Sequence, residues 1–320
     1  RGDWAACAAW WQDFAGGEPT FSADGDRRLY RYQGTLAISD RQTLAFGAER
    51  EETSSNSDDT SIDGLFALYE LKPTEGLTVT GGVRVDDHAR FGSETTGRAA
   101  AAYEVTDTLA LRASWGQGFK APTLFQTTFT CCGASGPNAD LQAETSEAFD
   151  LGVDWASRDG RAEAGITYFD QDTENLITFL GGRYENIAEQ TSTGVEVYAG
   201  YRIADGLTVS GNYAHVDAED GDGTPAVRVP EHSADITVSL DPEGPLSGAI
   251  LVRYNGEERT ILGTQLDDWA RVDLTGRYQL SEAVELYARL ENALNANYQQ
   301  VLGYGTPELS GSVGVRVRYR

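Results

Sequence analysis

The chain has 320 residues, with 50 acids against 25 bases and a formal net charge of −25. That balance argues against nucleic acid as a partner, because phosphate binding needs clustered Lys and Arg. No apolar run approaches the ~18 residues of a membrane helix, which excludes a helical membrane protein but not a transmembrane β-barrel, where only alternate strand residues must be apolar.

The opening stretch, Arg1 to Asp13, lacks the basic start and apolar stretch of a signal peptide. The chain contains no Met, so Arg1 is not expected to be the translational start. From residue 27 the dominant signal has period two. Leu77, Val79, Gly81, Val83 and Val85 alternate with Thr78, Thr80, Gly82, Arg84 and Asp86. Val195, Val197, Ala199, Tyr201 and Ile203 alternate with Glu196, Tyr198, Gly200 and Arg202. Such alternation predicts strands with one polar face, not helices.

About fifteen strands follow from this template. They span 27–38, 42–53, 60–72, 77–89, 95–106, 108–118, 144–156, 161–173, 191–204, 207–218, 231–241, 246–257, 267–280, 283–293 and 309–320. Many reach about ten residues, which at a tilt near 45° is long enough to cross a bilayer. Their connections alternate in length. Short ones carry tight-turn residues, as at Thr74-Glu75-Gly76, Ser157-Arg158-Asp159-Gly160 and Asp205-Gly206. Most of the intervening ones are long and polar, including 119–143, 174–190, 219–230, 258–266 and 294–308. Short turns at one end and long loops at the other predict an all-β, antiparallel transmembrane β-barrel in the bacterial outer membrane, with the long loops outside and lipid around it.

Tyr69, Trp155, Tyr168, Tyr201, Tyr213, Tyr254 and Tyr278 fall on the apolar face, as aromatic girdles would. Arg84, Arg112, Glu196, Arg202, Arg253 and Arg277 fall on the polar face. A basic charge turned to lipid would cost about 2–4 kcal/mol at the midplane. An odd strand count does not close a bacterial single-chain barrel, so residues 27–320 are expected to be part of one, with 1–26 a remnant of an extracellular loop.

Cys7, Cys131 and Cys132 show no zinc-ligand spacing, and an odd count forbids complete internal pairing. Cys131 and Cys132 could be unpaired, or one could pair with Cys7. His88, His215 and His232 stand far apart, no catalytic constellation is apparent, and no enzyme activity is expected.

Several segments resemble TonB-dependent receptors. Leu111 to Leu124 (LRASWGQGFKAPTL) resembles a strand-end motif of that family. Asn138 to Glu147 is similar to the Asn-Pro-x-Leu-x-Pro-Glu segment that follows it, with Ala in place of both prolines. Asn186 to Glu196 is similar to a family hairpin, and Leu290 to Tyr298 resembles the penultimate-strand signature. Within the family, Tyr298 and the Gly303-Tyr304 pair before the last strand most resemble the vitamin B12 (cobalamin) receptor branch; catecholate siderophore receptors share much of the pattern.

The resemblance implies a barrel of about 22 strands, of which about seven would be missing here. The plug and the TonB box would be missing too. It implies active uptake of cobalamin or a ferric siderophore, driven through the TonB complex. The alternative is a passive pore or surface-binding barrel without plug gating. Tyr184, Trp269 and Tyr304 are the candidate ligand contacts, since aromatic anchors dominate recognition. Asp217, Asp220 and Asp222 are candidate calcium ligands, with Asp58 and Asp59 a second set. Pro225 stands where an EF-hand needs Gly, which rules that motif out. Cobalamin receptors are similar in using calcium-ordered loops; a solvated acidic loop is the other reading.

Overall fold

A computed structural model describes residues 25–55, 58–187 and 189–319. The expected remnant 1–26 lies outside the described residues up to position 24, as does Cys7. The elements in chain order are β1 Gly25–Ser39, β2 Gln42–Ser55, β3 Asp58–Thr74, β4 Leu77–His88, β5 Gly92–Thr106, β6 Leu109–Lys120, the short helix α1 Leu124–Thr128, β7 Glu144–Ala156 and β8 Ala162–Glu174. There follow β9 Ile177–Leu180, β10 Arg183–Asn186, β11 Glu189–Ala204, β12 Leu207–Asp220, β13 His232–Leu240, β14 Leu246–Asn255, β15 Glu258–Arg259, β16 Gln265–Leu266, β17 Trp269–Ser281, β18 Val284–Glu291 and β19 Ser310–Val317.

Fifteen strands form one sheet in the order β1 to β8, β11 to β14, then β17 to β19; β9–β10 and β15–β16 are small separate hairpins. Sequence neighbours pair antiparallel, as short turns require. No described helix is long and apolar enough to cross a membrane. By contact density the chain divides into two compact units: 1–101, 114–148 and 172–189 in one, and 102–113, 149–171 and 190–320 in the other.

Register keeps the two sheet faces chemically distinct. In the second unit one cross-strand row reads Val209, Val238, Ile250, Leu274, Leu290. The adjacent row reads Thr208, Ser239, Ala249, Thr275, Arg289, Ser312. A slip of one residue would exchange them, so alternation pins the register. Register shifts in β1, β3, β11 and β17 all fall just before a short turn. A bulge there raises local twist and lets a tight turn close. At the β11–β12 turn, Gly206 has a φ of +73°, and a Cβ would lie 2.4 Å from the Pro242 Cα.

The apolar core is not in the sheet. Among the described residues, the buried apolar side chains are Leu124, Leu141, Ile177, Ala226, Trp269 and Tyr298, all in connections or at strand ends. The strands instead expose large residues such as Leu36, Leu65, Val83, Leu151, Ile166, Ile236 and Ile250. A water-soluble protein rarely exposes so continuous an apolar face; lipid is the solvent that suits it. Trp155, Tyr201 and Tyr278 lie on that face near the short-turn ends of their strands, whereas Tyr168 and Tyr213 lie near the middle of theirs. The first three have the placement of an interfacial aromatic belt.

Candidate functional site

Charges on the polar face are neutralised in cross-strand networks. In the first unit, Arg84 donates to Asp86 at 2.6–2.9 Å and contacts Glu49 at 3.0 Å; Glu49 also pairs with Arg31. Arg27 forms a two-pronged pair with Glu51, both bonds 2.7 Å. In the second unit, Arg112 donates to Asp154 at 2.8 Å and to Thr167 at 2.6 Å, and the Tyr198 hydroxyl donates to Asp154 at 3.0 Å. Gly165 makes room for this network, because a Cβ there would lie 2.2 Å from the Tyr198 ring. Glu196, Arg202, Arg253 and Arg277 are exposed on the same face.

Two long connections of the first unit are laced together by side chains. The carboxylate of Glu144, 8% exposed, accepts from Lys120 Nζ at 2.9 Å and from the Ile177 amide at 3.0 Å. Asn186 accepts from the Gln142 amide at 2.8 Å and donates to the carbonyls of Gln142 and Asn175. Asn138 donates to the Tyr184 carbonyl at 3.1 Å, and the Cys131 amide to that of Gly182 at 2.8 Å. Thr123 caps α1 in a reciprocal box with Gln126. Cys131 and Cys132 are joined in a vicinal disulfide beside this contact. This local pairing is neither of the arrangements read from the sequence, unpaired thiols or one bond to Cys7.

Tyr184 belongs to an aromatic cluster here. Its ring lies 5.3 Å from Phe179, 6.1 Å from Phe125 and 6.3 Å from Phe129, in edge-to-face arrangements. These three Phe residues were not picked out by sequence reasoning. The signal was their density in segments without period two.

Trp269 is not a free anchor. It is 7% exposed, and its ring stacks on Tyr298 at 4.4 Å. Arg271 donates to the Tyr298 hydroxyl at 3.0 Å. Asn292, 2% exposed with φ of +52°, accepts from the Ala296 amide and donates to the carbonyls of Ala296 and Pro307. Asn295, also at positive φ, accepts from the Leu309 amide. The Asn-rich segment that resembles a family signature therefore shapes the 292–309 connection. Tyr304 is 72% exposed on that connection.

The calcium candidates do not converge. Asp217 and Asp220 stand three residues apart on β12, so alternation sends them to opposite faces. Asp220 accepts from Gln190 at 3.1 Å and lies 3.7 Å from Arg259. Asp222 accepts from the hydroxyl and amide of Thr224, which hold its carboxyl below the ordinary Asp range. A calcium ion needs 6–8 oxygens around one point, which these three do not supply. Arg90 occupies the other set, donating to the Asp58 carboxylate and the Asp59 carbonyl.

Comparison with known proteins decides what such a sheet belongs to. Residues 3–293 match the TonB dependent receptor-like β-barrel family. The chain belongs to the TonB-dependent receptor β-barrel family. The vitamin B12 transporter BtuB of Vibrio cholerae is 26% identical over 307 residues, covering 88% of this chain and 48% of that protein. The ferric enterobactin receptor of Pseudomonas aeruginosa is 26% identical, covering 78% and 40%. A crystal structure of that receptor superposes with a TM-score of 0.80 at 21% identity, covering 93% of this chain and 54% of the other. The siderophore receptor PirA of Acinetobacter baumannii also gives 0.80, at 16% identity. The chain spans about half the length of the curated relatives it matches. As a TonB-dependent receptor barrel it is an outer-membrane protein. Its apolar face meets lipid, its polar networks face the lumen, and the family is one of receptors and transporters rather than enzymes.

Proposed function

We infer that this chain is the wall and loop region of an outer-membrane receptor that captures a large, scarce ligand and imports it with energy delivered through TonB. The observation that carries this reading is the match over most of the chain to relatives named for vitamin B12 transport and ferric enterobactin reception. The laced loops and the exposed Tyr304 suit capture, since loops position recognition groups on a rigid scaffold. The paired arginines of the lumen face suit contact with a plug that moves within the wall.

Charge favours cobalamin over a ferric catecholate, which is a trianion. The chain carries −25, and Arg31, Arg84, Arg112 and Arg271 are each already matched by a carboxylate. The test expresses the complete protein in a bacterium lacking its own cobalamin and catecholate receptors. Uptake of radiolabelled cyanocobalamin and of ferric enterobactin is then measured with and without tonB. Cobalamin uptake that requires tonB is the expected result. Uptake indifferent to tonB would favour the passive pore, and no uptake of either ligand would sink the import reading.

A further inference from the structure

We propose that His215, Glu231 and His232 form a binding site for a divalent transition-metal ion at the foot of the 221–231 connection. His215 on β12 lies directly across from His232 on β13. The Val216 amide donates to the Glu231 carbonyl at 2.9 Å, making 216 and 231 a hydrogen-bonded pair. The next pair, 215 and 232, is then non-hydrogen-bonded, the kind whose side chains stand closest. The two imidazoles stack at 4.9 Å between centroids, 22° from parallel.

Glu231 precedes the strand and is not bound by its alternation, so its carboxylate reaches both rings. Its Oε1 lies 3.8 Å from His215 Nδ1 and 3.6 Å from His232 Nε2. One ligand atom from each of the three residues lies within 4.8 Å of the others. Ligands about 2.05 Å from a tetrahedral ion stand roughly 3.3 Å apart, so both carboxylate separations need to close by only a few tenths of an ångström. Among the described residues this is the one group of three or more His, Cys, Asp or Glu side chains gathered in this way.

Neighbouring groups can select the right tautomer. The Tyr213 hydroxyl lies 2.9 Å from His232 Nδ1. When it accepts from Nδ1–H, His232 Nε2 turns its lone pair toward Glu231, as outer partners of ligating histidines do. His215 Nδ1 also lies 3.3 Å from the Glu231 carbonyl, a contact given up when that nitrogen ligates. Two imidazoles and one carboxylate suit zinc, nickel or copper rather than calcium or magnesium. Three protein ligands leave further positions to water. The site shares the face of Tyr213, so it stands apart from the lumen; it clips β12 to β13 beneath an exposed acidic connection and depends on no particular imported ligand.

The experiment titrates the detergent-extracted complete protein with zinc against a chromophoric chelator. One equivalent should bind, weakened at least 10-fold by Glu231→Gln and at least 100-fold by the His215→Ala, His232→Ala double substitution. Zinc should also slow proteolysis within 221–231 in the native protein only. Equal zinc binding by native and double-substituted protein would overturn the site, leaving diffuse binding to an acidic surface. If the double variant fails to fold, histidine modification of the native protein by diethylpyrocarbonate decides. Zinc should protect His215 and His232 but not His88, and no protection of the pair refutes the proposal.

Discussion

Two connections of this receptor wall are held by a single buried polar side chain, and by different means. In the first unit Glu144 uses a charge, answered by Lys120 and the Ile177 amide. In the second unit Asn292 uses a neutral amide whose donor and acceptor atoms meet the backbone of its own connection. The charged clamp joins segments far apart in sequence, at Lys120 and Ile177, so it ties two connections together. The neutral clamp shapes one continuous turn, where hydrogen-bond direction matters more than strength. The neutral clamp is also almost wholly buried, whereas Lys120 remains half exposed. Salt should therefore loosen the first region more than the second.

Substitutions can break this comparison in graded order. Trp269→Ala should have the largest effect, about 3–4 kcal/mol, because it removes a buried aromatic and its stack on Tyr298. Urea unfolding of the protein in detergent measures it, and a loss under about 1 kcal/mol would mean that the stack adds little. Asn292→Ala should cost about 2–3 kcal/mol, leaving part-buried backbone groups of Ala296 and Pro307 without this partner. Proteolysis at 292–309 should accelerate while cleavage at 121–143 stays unchanged; the reverse would undo the assignment. Glu144→Gln should cost about 1–2 kcal/mol, discounted because Lys120 is solvated, and should open 121–143 and 175–187 together. Unchanged exchange of the Ile177 amide in hydrogen–deuterium measurements would contradict that.

Tyr304→Ala should shift stability by no more than about 0.5 kcal/mol, since the ring is exposed. If it contacts ligand, affinity should fall about 10-fold, equivalent to about 1.4 kcal/mol, and unchanged affinity would remove it as an anchor. The smallest effect concerns Asp222. Its folded-state carboxyl titrates below the ordinary Asp range because Thr224 donates to the ionised form. Its contribution is thus present above the unfolded value and lost only as pH falls through the lower folded one. Between pH 7 and 5 the 221–224 turn should keep its proteolytic resistance, and a loss near pH 5 attributable to Asp222 would reverse the sign.

Alternation by itself determined the fifteen strands, their order and which face each residue takes, because one residue of slip would put arginines such as Arg84 and Arg112 into lipid. The turn residues determined which end is short. The asymmetry of connections and the motifs from Leu111 to Glu147 and from Leu290 to Tyr298 made the family legible. Alternation was silent wherever the chain left the sheet. It missed α1, β9–β10 and β15–β16, because these are too short to show a period. Trp269 looked like an anchor in the sequence; only the fold placed Tyr298 over it. The aspartates 217, 220 and 222 looked like a cluster because they are near in sequence, but a strand sends neighbours three apart to opposite sides. His215 and His232 looked remote for the converse reason. Sequence distance measures proximity within a turn, whereas cross-strand register, decided by tertiary structure, sets it between strands.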